Sequence, residues 1–160
     1  MSMRHPLAYI ASVVIFSFAV YGAVAVFSGS EETKVRRTIN AAILGVELND
    51  PARYGAILAE DYADDQGLTK ATLLAELADV FKDYKPFKVN IKRLKIKVSG
   101  QDEATANIGF KVYLRKVSDQ VVYYEAGKII LFMKKTSAGW RVYRSEYTSS
   151  DDLLFIQNVA

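Results

Sequence analysis

The chain has 160 residues, a formal net charge of +3 and no cysteine. This length allows one domain of common size together with a shorter segment, and the absence of cysteine excludes disulfides, thiolate metal sites and cysteine nucleophiles. The only histidine is His5, near the amino terminus, so a histidine base or histidine metal ligand is excluded from the rest of the chain.

An apolar stretch without any charged residue runs from Leu7 to Phe27. A helix needs about 20 mostly apolar residues to cross the hydrocarbon core of a bilayer. The stretch therefore predicts one transmembrane helix within an anchor segment at residues 1–29. A cleavable signal peptide is the alternative, with Ala23-Val24-Ala25 as its cleavage site, although the apolar region of a signal peptide is shorter.

The charges beside this stretch bear on its orientation. Arg4 and the amino terminus precede it, and Glu31 and Glu32 follow it, which favours an amino terminus inside the cell and a domain outside. Three basic residues within the same distance count against this orientation: Lys34, Arg36 and Arg37. We expect a single-pass protein of a bacterial inner membrane whose domain is periplasmic.

Three helices are predicted between residues 30 and 85. Ser30 is a suitable cap for the first, in which apolar residues recur at helical spacing as far as Val46. The pair Asp50-Pro51 is typical of a new helix start, and this short second helix is expected to end near Leu58. A third helix is expected to begin at Thr69 or Lys70, and Pro86 marks its stop.

The second half of the domain alternates between apolar and polar residues, which predicts four strands. The first runs from Phe87 to Val98, and the alternation changes phase at Lys92-Arg93. One residue too many in an alternating pattern indicates a β-bulge, so we expect a bent strand. The third of these strands is apolar on both faces between residues 129 and 132, which indicates either a central position in the sheet or a strand that a partner covers.

Helices followed by a meander of long strands indicate an α+β architecture. The helices meeting at Asn49-Asp50-Pro51, the stretch from Leu58 to Leu77, the bent strand and the closing stretch from Gly127 to Tyr143 together resemble the NTF2-like superfamily. The resemblance implies a cone in which three helices pack on a curved antiparallel sheet. The expected domain spans residues 30–148, and residues 149–160 form an apolar tail.

The resemblance also implies a conical pocket, which enzymes and pure binding modules of this superfamily both use, so fold alone does not give function. Superfamily members with isomerase or dehydratase activity use Asp, His or Tyr inside the cone. The candidate pocket residues in this sequence are the following carboxylates and tyrosines: Tyr62, Asp64, Asp65, Tyr84, Glu125 and Tyr147. Asp64 and Asp65 are also typical of a solvated turn, and no catalytic set of the superfamily matches this chain.

The charges of the domain are unevenly distributed. Residues 31–83 hold 11 acidic and 6 basic side chains, whereas residues 84–148 hold 14 basic and 5 acidic side chains. The predicted bent strand contributes five of these cations: Lys88, Lys92, Arg93, Lys95 and Lys97. They indicate either a solvated sheet face with lysines that protect an edge strand, or a surface for an acidic partner or anionic lipid headgroups.

The tail contains four consecutive large apolar residues after Asp151 and Asp152, namely Leu153, Leu154, Phe155 and Ile156. Such a segment favours docking on its own domain or on a neighbour. No phosphate loop, paired histidine ligands or calcium loop is present, so we expect no cofactor and no metal. Nucleic acid is a third interpretation of the cations on the bent strand, but we expect none, because the domain is tethered to a membrane and no aromatic residues are interleaved with these cations. One anchor followed by one such domain resembles the layout of VirB8-type components of secretion systems.

These features favour a membrane-anchored binding or scaffolding domain, an accessory or assembly subunit of an inner-membrane complex. Its expected partners are membrane lipids and other subunits or further copies of itself. The alternative is a tethered small-molecule-binding protein or enzyme of the isomerase or dehydratase kind, which would use the cone pocket.

Overall fold

The structure, a computed structural model, describes residues 29–149. The predicted anchor and the apolar tail at residues 153–156 lie outside the described residues and stay predictions. Within residues 29–149, no helix is long and apolar enough to cross a bilayer.

Within residues 29–149, three helices precede most of the sheet, as the sequence predicts. Helix α1 spans Glu31–Glu47, α2 spans Pro51–Gly55 and α3 spans Lys70–Asp83. Local caps explain where they begin: the Asp50 side chain accepts a hydrogen bond from the Arg53 backbone amide at 2.9 Å, and Thr69 forms a capping box with Thr72. Such caps satisfy amide groups that have no partner within the helix.

Five strands form one curved sheet in the order β1-β5-β4-β3-β2. Their bounds are β1 Leu58–Asp64, β2 Tyr84–Ser99, β3 Glu103–Lys116, β4 Val122–Thr136 and β5 Gly139–Ser149. Strands β2 to β5 are antiparallel, and only β1 runs parallel to its neighbour β5. The doubly apolar strand, β4, lies at the centre of the sheet, which confirms its predicted position.

The sequence does not predict strand β1, because its pattern indicates the end of the second helix followed by a polar turn. Leu58, Ala59 and Tyr62 are buried, and the strand pairs with β5 in a register that shifts between Leu58 and Ala63. The short segment is extended because an open edge of β5 offers it backbone partners, a tertiary effect that local propensity does not encode. The polar turn begins where β1 ends, at Asp64, and not directly after the second helix.

The bulge in β2 is confirmed. Ile91 lies opposite Phe110 and Arg93 lies opposite Gly109, so Lys92 is the extra residue. Because the extra residue restores the alternation, Ile91 and Leu94 both face the inner side of the sheet. The strand bends here without losing its apolar face.

The core lies between the helices and the inner face of the sheet. Helix α1 contributes Val35 and Ile39, and the strands contribute the following buried residues: Leu58, Tyr62, Ala104, Ala106, Ile108, Met133, Trp140 and Val142. The opposite face of the sheet, which we call the outer face, takes no part in this cluster. The sheet therefore has one face buried by helices and one left open in the described part of the chain.

Two single-residue deletions test the bulge. Deleting Lys92 keeps Ile91 and Leu94 on the inner face, whereas deleting Lys95 makes Leu94 and Ile96 neighbours, so that one of them must face outward. We expect the Lys95 deletion to lower the free energy of unfolding by about 3 kcal/mol or more, since it exposes aliphatic side chains, and the Lys92 deletion to cost less than half as much. Urea unfolding followed by the fluorescence of Trp140 measures both. Equal losses in the two deletions would contradict the assignment.

Candidate functional site

Polar side chains lie among apolar ones on the inner face of the sheet. Inward residues alternate along β4 and β5, so Glu125 shares a face with Ile129 and Leu131, and Tyr147 shares a face with Ser145. The structure thus brings several of the predicted pocket residues to the same side of the sheet.

Tyr62 is one of them and is held firmly. Its ring is buried, and its hydroxyl is 2.7 Å from the hydroxyl of Ser145, which is also buried. Burial raises the pKa of Tyr62, and the nearby Asp64 and Asp65 raise it further, while the bond to Ser145 lowers it. The pair satisfies two polar groups within the core.

Glu125 and Tyr147 form a second polar pair on the inner face, and Tyr147 lies two residues after Ser145 on β5. The Tyr147 hydroxyl donates a hydrogen bond to the Glu125 carboxylate, and both residues are half-buried. The Tyr147 ring lies over Gly127, where an added Cβ would come within 3.1 Å of it, and 6.2 Å from the Phe110 ring. A phenol and a carboxylate in contact can bind a ligand by hydrogen bonds, and such groups also serve in proton transfer.

Tyr84 lies at the junction of α3 and β2. Its ring stands edge-on to that of Tyr123, with 6.0 Å between the centroids. Tyr123 precedes Glu125 by two residues and faces the same side of β4. Tyr123 and Tyr147 therefore share the inner face with Glu125, and the ring of Tyr84 contacts that of Tyr123.

Asp64 and Asp65 lie at the end of β1, away from this group. Asp64 accepts hydrogen bonds from the backbone amides of Gln66 at 2.9 Å and Leu68 at 2.7 Å. Its carboxylate thereby holds the turn in which Gly67 has a φ of +88°. This arrangement fits the interpretation of Asp64 as a turn residue.

The described residues contain no group of three side chains that could hold a metal ion. The polar pairs described above place hydrogen-bonding groups within an apolar surface, which is the usual composition of a small-molecule site.

The outer face carries a groove of about 450 Å³ that crosses four strands. Two cross-strand rows line it, according to the strand register. The first row is Arg93, Gly109, Lys128 and Thr148, and the second is Lys95, Asn107, Ile130 and Glu146. The groove volume lies within the range of small-ligand sites.

Three cations of the groove lack an acidic partner in the described part of the chain. Within residues 29–149, neither Arg93, Lys95 nor Lys128 forms an ion pair, and the one carboxylate in the groove, Glu146, is bound to Arg144 at 2.6 Å. Several other cations are paired, including Lys70 with Glu60, Lys88 with Glu47 and Lys134 with Asp61. The groove is therefore a site of uncompensated positive charge.

Gly109 opens the groove, although the backbone does not require glycine there. Its φ is not positive, and an added Cβ would meet Arg93 at an ordinary contact distance of 3.6 Å. Glycine inside a strand lowers stability and often marks a site where another group approaches closely. Here the missing side chain leaves a notch between Arg93 and Lys128.

Aromatic residues stand at both ends of the groove, each beneath a cation. Lys111 lies 5.5 Å from the centroid of Tyr124, and Arg144 lies 5.4 Å from that of Phe132. Such cation–π contacts hold basic side chains over apolar surface.

The five predicted cations divide in the structure. Arg93 and Lys95 line the groove, Lys92 is the bulge residue, Lys88 binds Glu47, and Lys97 is exposed on the same face. Because β2 is an edge strand, the edge-protection interpretation also fits. Five residues of these two faces are not among the predicted site residues: Ser145, Tyr123, Asn107, Gly109 and Lys128. Only Gly109, a glycine within an apolar strand, gave a visible signal.

The pKa of Tyr54, a tyrosine of helix α2 that packs against the core, gives a test of the packing around Tyr62. Burial raises the pKa of Tyr54 to about 12, from an ordinary value of 10.0, and the neighbouring Tyr62 raises it as well. The unfolded chain therefore loses this proton first as the pH rises. The stability contributed by the neutral phenol is fully present below pH 10 and is lost between pH 10 and about pH 12.

We expect Tyr54→Phe to reduce the fall in melting temperature between pH 9 and pH 11.5. The matched control is Tyr113→Phe, which removes a phenol from the outer face and should leave that fall unchanged. Thermal unfolding over this pH range measures both. Identical pH profiles for the parent and Tyr54→Phe would show that Tyr54 is not held neutral by burial.

No protein-family profile matches the chain, and no curated protein matches its sequence. Solved structures do match. A candidate scytalone dehydratase from Novosphingobium aromaticivorans is 14% identical, with 79% of this chain and 89% of that chain covered and a TM-score of 0.71. An NTF2-like superfamily protein from Salmonella enterica is 12% identical, with 80% and 96% covered and a TM-score of 0.68.

A third similar structure is described as an association domain and not as an enzyme. It is a candidate association domain of a calcium/calmodulin-dependent protein kinase II from Xanthomonas campestris, 9% identical, with 78% and 91% covered and a TM-score of 0.66. Identities this low establish the fold alone. The described part of the chain has an NTF2-like α+β fold with a curved antiparallel sheet, a fold that proteins described as enzymes and as association domains share.

Proposed function

We propose that this chain is a membrane-anchored binding module, an accessory or assembly subunit of a bacterial inner-membrane complex. The observation that carries the proposal is the outer face of the sheet, where Arg93, Lys95 and Lys128 surround a notch and form no ion pair within residues 29–149. A partner subunit with an acidic surface complements this face. Unpaired charges that meet opposite charges across an interface favour rapid and selective association.

The position of the face supports a macromolecular partner. The helices pack against the inner face, so four adjacent strands leave a broad surface open. Aromatic rings and basic side chains alternate there, and both Tyr and Arg are enriched at protein interfaces.

The charge-free stretch from Leu7 to Phe27 supports tethering of this module to the inner membrane, with the domain on the periplasmic side. Tethering confines the module to the membrane surface, so a partner in the same membrane meets it at a raised effective concentration. Nucleic acid is an unsuitable partner for such a periplasmic domain.

Charge reversal at the groove tests the proposal. The double variant Arg93→Glu, Lys128→Glu should remain in the membrane pellet but recover its partner subunits about tenfold less well or worse, because like charges then face each other. Quantitative affinity purification of the full chain from gently solubilised membranes measures this recovery.

The matched control is Arg37→Glu, Lys82→Glu, which makes the same charge change on helices α1 and α3. It should recover the partners as the parent does. Equal recovery by the groove variant and the parent would contradict the assignment of the outer face. Release of the parent chain from membranes by carbonate washing would contradict the anchor.

A second candidate function is supported by the contact between Glu125 and Tyr147. A half-buried phenol and carboxylate in an apolar cone suit a small apolar ligand with one hydrogen-bonding group. A tethered binding protein, or an enzyme of the isomerase or dehydratase kind, would use this pair to hold the ligand or move a proton.

Filling the cone tests this candidate. Val112 lies opposite Glu125 on the inner face, so Val112→Phe should abolish the fluorescence increase of the neutral dye Nile red on binding. The control Tyr113→Trp adds bulk to the adjacent residue on the outer face and should leave the increase intact. Unchanged dye binding by Val112→Phe would exclude the cone as a ligand site.

A further inference from the structure

We propose that the segment at residues 150–156 of this same chain docks in the outer groove, where its two aspartates lie between Lys128 and Arg93. The segment reads Ser-Asp-Asp-Leu-Leu-Phe-Ile. The part of the inference that concerns regulation rests on the proposed function, because a docked segment would compete with an acidic partner for the same cations.

The end of β5 places the start of this segment beside the groove. Thr148 lines the groove and pairs with Lys128, and Ser149 pairs with Gly127. Strands are about 4.8 Å apart, so the notch at Gly109, two strands away, is roughly 10 Å from β5. Three extended residues span roughly 10 Å, which lets Asp152 reach the notch.

Charge complementarity selects this segment. Asp151 and Asp152 are adjacent carboxylates, and the groove holds three cations without an acidic partner in the described part of the chain. The guanidinium of Arg93 can bind a carboxylate through two parallel hydrogen bonds, and Lys128 approaches from the other side of the notch. Residues on both walls thus face one carboxylate.

The apolar residues that follow explain why the whole segment, and not a bare acidic pair, suits the outer face. Leu153 to Ile156 gain free energy by leaving water. Ile130 lies on the groove floor, and Phe132 follows it on the same side of β4. An acidic pair followed by an apolar run therefore matches a basic notch followed by an apolar patch.

Carbodiimide crosslinking tests the docking directly, because it joins a carboxylate to an amine only when the two are in contact. In the full chain we expect crosslinks from Asp151 or Asp152 to Lys128 or Lys95. Mixing unlabelled and nitrogen-15-labelled chains distinguishes a link within one chain from a link between two copies. Links that form only between copies, or only to lysines outside the groove, would overturn the proposal.

Two variants show whether the groove itself selects the segment. Gly109→Leu fills the notch with no change of charge, and Arg93→Gln removes one wall cation. Each variant should reduce the yield of the crosslink to Lys128 at least about fivefold. The control Lys97→Gln should leave this yield unchanged. Should Gly109→Leu fail to fold, Arg93→Gln still decides the outcome. An undiminished crosslink in Arg93→Gln would contradict docking in the groove.

The regulatory part is measured with a hexaglutamate peptide as the probe. A chain that ends at Ser150 should bind this peptide at least about fivefold more tightly than the full chain, since the competing segment is gone. Peptide binding that depends on Arg93 but is unaffected by truncation would overturn this inference and leave the proposed function standing. Absence of peptide binding in both chains would count against both.

Discussion

Lys92 is one residue too many for a regular ladder, and the bulge that accommodates it is the constraint that decides which face each later side chain of β2 occupies. A bulge also bends a strand and increases its twist, which suits a sheet that wraps around helices. By absorbing one residue, the bulge lets Ile91 and Leu94 both face inward. The same step turns Arg93 outward, opposite Gly109, and so creates one wall of the outer groove.

The two faces of the sheet consequently carry different chemistry. On the inner face, polar groups satisfy each other: Tyr62 binds Ser145 and Tyr147 binds Glu125. On the outer face, three cations have no acidic partner within the described residues. An incoming opposite charge stabilises an unpaired charge more than it stabilises a pair that is already satisfied. The outer face is therefore the better candidate for partner binding. The inner pair remains suited to a small ligand.

Features set by local sequence were predictable. Asp50 and Thr69 cap helices through atoms only a few residues away, and the phase change at Lys92-Arg93 marks the bulge within a single strand. Strand β1 was missed because its extended form depends on the edge of β5, more than 70 residues later. The groove was missed because Arg93 and Lys128 become neighbours only through the register of three strands, which the alternation within each strand does not fix.

We propose that the outer groove, and not the cone, binds the acidic partner. Two glycines separate these possibilities, because Gly109 opens the groove and Gly127 lies beneath Tyr147 on the inner face. Amide chemical shifts of the full chain, recorded as hexaglutamate peptide is added, test the claim most directly. We expect saturable shifts at Gly109, Asn107 and Lys128, with Gly127 unmoved. Shifts centred on Gly127, with Gly109 unmoved, would contradict it.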